Sequence, residues 1–267
     1  DSMLLGVYAT TGDIGVYNVV YPLAALVSIP MNALGFLFLP IISELYGKDE
    51  IGEMVRLYQV VAKWTVLATF PLLFGMVFFS KSVIAVTFGP EYLMGNFALT
   101  VLSIGFFLPL VAGPNSNALV SIGATRYIMY TDTATAVVNV VLNVILIPRY
   151  TFLGAAAATA ISYLFMNFLY SVKVYRETGA HPLTQSMIVP SLVSMLFASG
   201  VYILASRIFT VTPIVAIPAG MIITAGHCLI ILAFGGIEQE EIMLVLSFEE
   251  RFGIDLGPFK RIANWLI

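Results

Sequence analysis

The chain has 267 residues, 60% hydrophobic and only 10% charged, with a net charge of −3 and a mean hydropathy of +0.97. A water-soluble domain carries about 25% charged residues, so the composition excludes a globular domain with a large core and implies an all-α polytopic membrane protein. One cysteine, Cys228, cannot form an intrachain disulfide, and the sequence has no zinc, haem or iron–sulfur spacing, no Gly-rich phosphate loop and no basic tract for nucleic acid.

Residues 3–9 are apolar but too short to cross a bilayer, and nothing before them resembles a signal peptide. They read as the tail of a helix that begins upstream, which makes the chain the C-terminal part of a longer protein. Residues 10–13 read as a loop. The first full span, 14–40, carries no charge from Ile14 to Leu39, and about 20 such residues suffice to cross a membrane. At 100° per residue, Asn18, Tyr21, Ser28 and Asn32 fall in one sector. A polar stripe has no use facing lipid, so it reads as part of a substrate path. Pro22 and Pro30 predict kinks in this span.

A charged loop is expected over 43–56, then a second span at 57–79 with Lys63 near its start. Residues 80–92 contain the turn signal Gly89-Pro90, and a third span, 93–121, is interrupted by Pro109 and by Gly113-Pro114-Asn115. That interruption reads as a gating hinge or as a packing kink, with Asn115 and Asn117 satisfying the freed backbone groups. The fourth span, 127–147, stops at Pro148-Arg149. The fifth, 152–175, opens on Gly154 and four alanines, which permit close helix packing. A polar loop leads to spans at 187–208 and 212–235, so residues 1–235 form a transmembrane unit of seven full spans plus a partial one. Residues 236–267 read as a cytoplasmic amphipathic tail. Alternate loops collect nine Lys and Arg (Lys48, Arg56, Lys63, Arg126, Lys173, Arg176, Arg251, Lys260, Arg261) against three (Lys81, Arg149, Arg207). The richer side, with the C-terminus, is expected in the cytoplasm.

In the fourth span Asp132, Thr135, Asn139 and Asn143 lie on one helical face. Asp132 reads as a further substrate-path residue. The two asparagines present oxygens that suit a hard cation such as Na⁺, or a proton relay, and Thr159 can add a hydroxyl. Interhelical hydrogen bonding, about 0.6–2 kcal/mol per bond, accounts for the same pattern. Lys63 reads as an interfacial lysine or a contact to an anionic substrate, Arg126 as an interfacial anchor or a phosphate contact, and His227 as a hydrogen-bonded neutral imidazole or a proton carrier. No nucleophile–base set is present and the external loops are short, so the chain reads as a non-enzyme.

Three stretches together resemble a known family: Gly15-Val-Tyr17 opening a span that ends Leu39-Pro40-Ile-Ile-Ser43, the turn Phe88-Gly89-Pro90-Glu-Tyr92, and Asn139-x3-Asn143-x4-Pro148 followed by Gly154-Ala-Ala-Ala-Ala-Thr159. Their order and spacing are similar to the polysaccharide transporter, or oligosaccharide flippase, branch of the multidrug/oligosaccharidyl-lipid/polysaccharide exporter superfamily. The resemblance implies a 14-helix, two-lobe fold in the cell membrane, of which this chain is the end of helix 7 plus helices 8–14. It implies transport of a polyprenyl-(pyro)phosphate-linked oligosaccharide by alternating access, completed by an N-terminal lobe. The alternatives are a cation-coupled multidrug antiporter and a non-transport scaffold. Lipid II flippases of this superfamily hold sodium at positions that match Asp1, Asn139, Asn143, Ala155 and Thr159, so Na⁺ or H⁺ coupling is expected. Their second helix-11 ligand is an acid where this chain has Asn143, and one fewer negative charge weakens cation binding.

Overall fold

The computed structural model describes residues 1–210 and 212–234. The amphipathic tail expected over 236–267 lies outside them. Helix α1 is Ser2–Tyr8, and α2, Thr11–Ala25, starts earlier than the expected loop over 10–13 allows. Thr10 and Asp13 form a capping box: the Asp13 backbone amide donates to the Thr10 hydroxyl at 3.2 Å, and the Thr10 amide to the Asp13 carboxylate at 3.0 Å. That pair satisfies the free amides of the first turn and begins the helix there. A 3₁₀ turn, Leu26–Ser28, separates α2 from α3, Ile29–Gly47. Together they form the first span, seven residues longer at its C-terminal end than 14–40.

The expected loop over 43–56 shrinks to Lys48, Asp49 and Glu50, because its charged residues extend the helices on either side. Lys48 pairs with Glu44 at 2.6 Å and Arg56 with Glu53 at 3.4 Å, at the spacings that helix surfaces favour. Helix α4 is Ile51–Phe78. The connection expected over 80–92 is itself helical, as α5 (Ser80–Thr87) and a 3₁₀ segment Pro90–Gly95. The third span is α6, Asn96–Val111, followed after the Gly113-Pro114 break by the short α7, Asn115–Ser121.

Helix α8, Thr125–Thr178, has 54 residues, about 81 Å at 1.5 Å per residue and far more than one membrane crossing. It breaks at Thr151, whose backbone is left-handed (φ 49°, ψ −128°). The halves fold back on each other. The Tyr127 hydroxyl donates to the Leu169 carbonyl at 3.0 Å, the Tyr170 hydroxyl donates to Asp132, and a Cβ on Gly154 would lie 2.4 Å from the Leu146 carbonyl oxygen. So α8 is a hairpin of the two spans expected at 127–147 and 152–175. Helices α9 (Gln185–Ile208) and α10 (Pro213–Phe234) follow. Six helical segments are long and apolar enough to cross a membrane; the α8 hairpin has the length for two crossings, which makes seven span-length segments among the described residues. The protein is a multi-pass membrane protein.

Three packed cores hold the helices together. Leu5, Tyr17, Val20, Leu102 and Ala155 join α1, α2, α6 and α8. Phe38, Ile42, Tyr58, Leu119 and Tyr170 join α3, α4, α7 and α8. Leu67, Phe70, Ala198 and Ile223 join α4, α9 and α10. Helix α4 contributes to all three cores, to the first through Met76, and its polar residues Lys63, Thr65 and Thr69 are buried with its apolar ones. Small residues set the α6–α8 approach, since a Cβ on Gly105 would fall 2.4 Å from that of Ala160.

Candidate functional site

A half-buried carboxylate at membrane depth needs donors, and Asp1 has three. The Tyr17 and Thr159 hydroxyls both donate to its Oδ2 at 2.7 Å, and the Asn143 amide donates to its Oδ1 at 2.6 Å. The two hydroxyls lie 3.1 Å apart, and the Asn143 amide also reaches the side chain and the carbonyl of Asn139, both at 2.9 Å. Asp1 caps α1, Tyr17 comes from α2, and Asn143 and Thr159 come from the two halves of the α8 hairpin, so the cluster joins four segments. The structure thus brings together Asp1, Asn139, Asn143 and Thr159, the side-chain members of the expected set, and buries Ala155 completely beside them. Tyr17 was not anticipated. A buried tyrosine in an uncharged span must find a partner for its hydroxyl, and that requirement is the signal that could have identified it.

The chemistry of this donor set suits a cation. It is all oxygen: one carboxylate, two hydroxyls and two carboxamides, with a single negative charge. The Asn143 Oδ1 is buried with no hydrogen-bond partner, and half a turn of the carboxamide brings it toward Asp1. Hard oxygens around one charge fit a monovalent ion such as Na⁺.

The polar stripe of the first span is not continuous. The 3₁₀ turn at Leu26–Ser28 changes the helical phase, so Asn18 and Tyr21 open on one hollow and Ser28 and Asn32 on another. The first hollow, about 250 Å³, adjoins the Asp1 cluster, and within it the Ser2 hydroxyl donates to Asn18 at 2.8 Å. The second, about 500 Å³, lies between α3, α6, the Gly113-Pro114 break and the second half of α8. Ser28, Asn32, Ser116, Asn117 and Asn167 contribute polar groups to it, and Phe106 and Tyr163 contribute rings. No ionisable acid or base is among its lining residues. Asp132 lines neither of these hollows: it is an exposed residue whose carboxylate accepts from the Tyr170 hydroxyl, a bond that ties the hairpin.

Four rings connect the two polar regions. Tyr17 lies 5.7 Å from Tyr21, Tyr21 5.6 Å from Phe106, and Phe106 5.1 Å from Tyr163, centroid to centroid. At the break, Gly113 takes a left-handed φ of 84°, and a Cβ there would meet the Tyr58 hydroxyl at 2.7 Å. That hydroxyl donates to the freed Ala112 carbonyl at 2.6 Å and lies 2.8 Å from the Asn115 side-chain oxygen. The Asn115 amide donates to Ser171 at 2.9 Å. The freed backbone is therefore satisfied from α4, not by Asn115 and Asn117 as the sequence suggested, and the kink is braced from two sides.

His227 holds α10 to its neighbours, with Nδ1 2.7 Å from the Ser194 hydroxyl and Nε2 2.8 Å from the Leu67 carbonyl. A carbonyl only accepts, so Nε2 carries the proton and Ser194 donates to Nδ1. This is the hydrogen-bonded neutral imidazole. Lys63 does not reach open water: it is 1% exposed, with Nζ 5.6 Å from the Trp64 ring centre. Arg126 is exposed at the start of α8.

The family described as "Lipid II flippase MurJ" matches residues 14–219. Among curated proteins, the chain is 24% identical over 171 residues to the "Probable low-salt glycan biosynthesis flippase Agl15" of Haloferax volcanii, covering 64% of this chain and 36% of that protein. It is 26% identical over 165 residues to the "Probable flippase AglR" of the same organism, covering 61% and 34%. It is 27% identical over 135 residues to the "Teichuronic acid biosynthesis protein TuaB" of Bacillus subtilis, covering 50% and 27%. The chain spans about a third of the length of these curated relatives. No solved structure matches it significantly.

Proposed function

The chain belongs to the lipid II flippase MurJ family, and on that premise we propose that the protein moves a lipid-linked oligosaccharide across the cell membrane. The observation that carries this reading is the family match from α2 into α10. The flippase and glycan-biosynthesis names of the relatives point the same way, toward transport and away from catalysis. In this reading the seven spans are one lobe of a two-lobe transporter, an N-terminal lobe supplies the other half of the cavity, and the C-terminus is cytoplasmic. The two lobes rock to expose the cavity alternately to each side. The cargo carries its sugar on a polyprenyl (pyro)phosphate.

The division of labour follows from charge. The uncharged second hollow suits the sugar portion, while the phosphate needs cationic groups that must come from the other lobe. The Asp1 cluster would hold Na⁺ or H⁺, with Asp1 supplying the charge and Asn139, Asn143, Thr159 and Tyr17 neutral oxygens. A bound cation there would supply the driving gradient. Within the chain, Asp1 bridges the two halves of α8 through Asn143 and Thr159, so any change in its occupancy acts on the hairpin that packs on α6.

The test is leaflet transfer. The complete protein is reconstituted in vesicles with a fluorescent polyprenyl-diphosphate oligosaccharide, and a membrane-impermeant quencher reports the outer leaflet. Transfer above protein-free vesicles, changed by a sodium or proton gradient, is expected. Absence of transfer alongside efflux of a cationic drug would overturn the reading in favour of an antiporter.

A further inference from the structure

We propose that Asn117, together with Asn32 and Asn167, forms an amide clamp for an uncharged pyranose of the cargo, and that Asn117 sets its sugar specificity. This rests on the flippase reading and adds to it the residues that recognise the sugar.

Three segments converge on the second hollow: Asn32 from α3, Asn117 from α7 and Asn167 from α8. The side chains of Asn32 and Asn117 make no hydrogen bond among the described residues, and Asn167 uses only its Nδ2, toward the Tyr163 carbonyl at 3.1 Å. An unsatisfied amide at membrane depth is costly, so polar groups left open there mark contact with water or a ligand. A carboxamide both donates and accepts, which suits hydroxyls presented in either role. Across the hollow, the rings of Phe106 and Tyr163 offer an apolar wall for the C–H face of a pyranose. With no charged residue lining it, the hollow matches neither a phosphate nor a drug cation. Its volume of about 500 Å³ falls in the range of small-molecule sites, roughly 300–1,000 Å³.

The placement of Asn117 is built in. A Cβ on Gly35 would fall 2.4 Å from the Asn117 Nδ2, so the amide occupies space that only glycine leaves. The backbone turn that aims it is fixed at Gly113 and braced by Tyr58 through Asn115.

The experiment measures binding to the complete protein in lipid nanodiscs with two probes: undecaprenyl diphosphate carrying one N-acetylglucosamine, and undecaprenyl diphosphate alone. Asn117→Ala is expected to weaken the sugar-bearing carrier about tenfold (~1.4 kcal/mol) and leave the sugar-free carrier unchanged. Gly35→Ala, which pushes the same amide aside, is expected to do likewise, and Asn117→Ala keeps the test open if Gly35→Ala folds poorly. Equal weakening of both carriers, or no weakening of the sugar-bearing one, would overturn the clamp while leaving the flippase reading standing. A wild-type protein that binds both carriers equally and transfers neither would overturn both.

Discussion

Replacing Gly154 with alanine tests the hairpin and the cluster at once. The added Cβ would lie 2.4 Å from the Leu146 carbonyl oxygen, 2.5 Å from its carbon and 2.9 Å from the Ile147 nitrogen, where ordinary contact begins at 3.4 Å. All three obstacles are backbone, so no rotamer change relieves them and the halves of α8 must part by about 1 Å. Asn143 lies one turn before Ile147, and Thr159 lies on the facing half. Asp1 bridges them with bonds of 2.6 and 2.7 Å, and lengthening either by about 1 Å ends it as a hydrogen bond. Overpacking costs about 1–3 kcal/mol, and losing a hydrogen bond to a charged group about 1.5–3 kcal/mol, so together a loss of about 2.5–6 kcal/mol is expected. At about 2–4 °C per kcal/mol this lowers the melting temperature by roughly 5–24 °C. Thermal unfolding of the purified protein measures it, with Gly200→Ala as the control, because nothing lies within 4 Å of a Cβ there. If Gly154→Ala melts with the wild type or with Gly200→Ala, the tight hairpin and its bridge are refuted.

Asn143→Asp puts a second carboxylate beside Asp1. A charge about 4 Å from a cation contributes roughly 4 kcal/mol at an effective dielectric of 20, part of it offset by repulsion between the acids. Sodium should therefore raise the melting temperature of the variant well above its value in choline, and more than it does for the wild type; equal shifts count against a cation site. His227→Phe removes the two hydrogen bonds by which α10 holds Ser194 and the Leu67 carbonyl and should cost about 1–3 kcal/mol. Ser194→Ala should cost less, and a double-mutant cycle on thermal stability checks the coupling. Thr151→Gly places at φ 49° the residue type that tolerates it, and should stabilise the protein by roughly 1 kcal/mol, read from the same melts.

Charge-free length made the spans legible, and all seven are present. What hydropathy could not show was where helices stop. The charged stretch over 43–56 reads as a loop because it is polar, yet Glu44, Lys48, Glu53 and Arg56 pair at helical spacing and prolong both helices. Proline was a partial guide: Pro22 lies inside α2, whereas Pro30 sits in the first turn of α3, directly after the Leu26–Ser28 turn where the phase of the first span changes. That shift, invisible to a fixed 100° rotation, is what parts Asn18 from Asn32. Around Asp1, the four expected side chains were readable through family resemblance and helical spacing, but Tyr17 was not, since its partners lie 16 and 142 positions away. Asn117 and Asn167 join Asn32 only because the break and the hairpin fold them to one place.

The row of rings from Tyr17 to Tyr163 sets a reciprocal relation between its ends. Tyr17 is bonded to the Asp1 carboxylate, and Tyr163 walls the amide-lined hollow. The rings are in edge and tilted contact from one end to the other, which gives a displacement at either end a packed route to the other. If a cation binds at one end and a sugar at the other, as proposed, linkage makes the factor by which the cation alters sugar affinity equal to the factor by which the sugar alters cation affinity. Under the reading proposed above, the row of four aromatic side chains would make gradient and cargo two readings of one quantity.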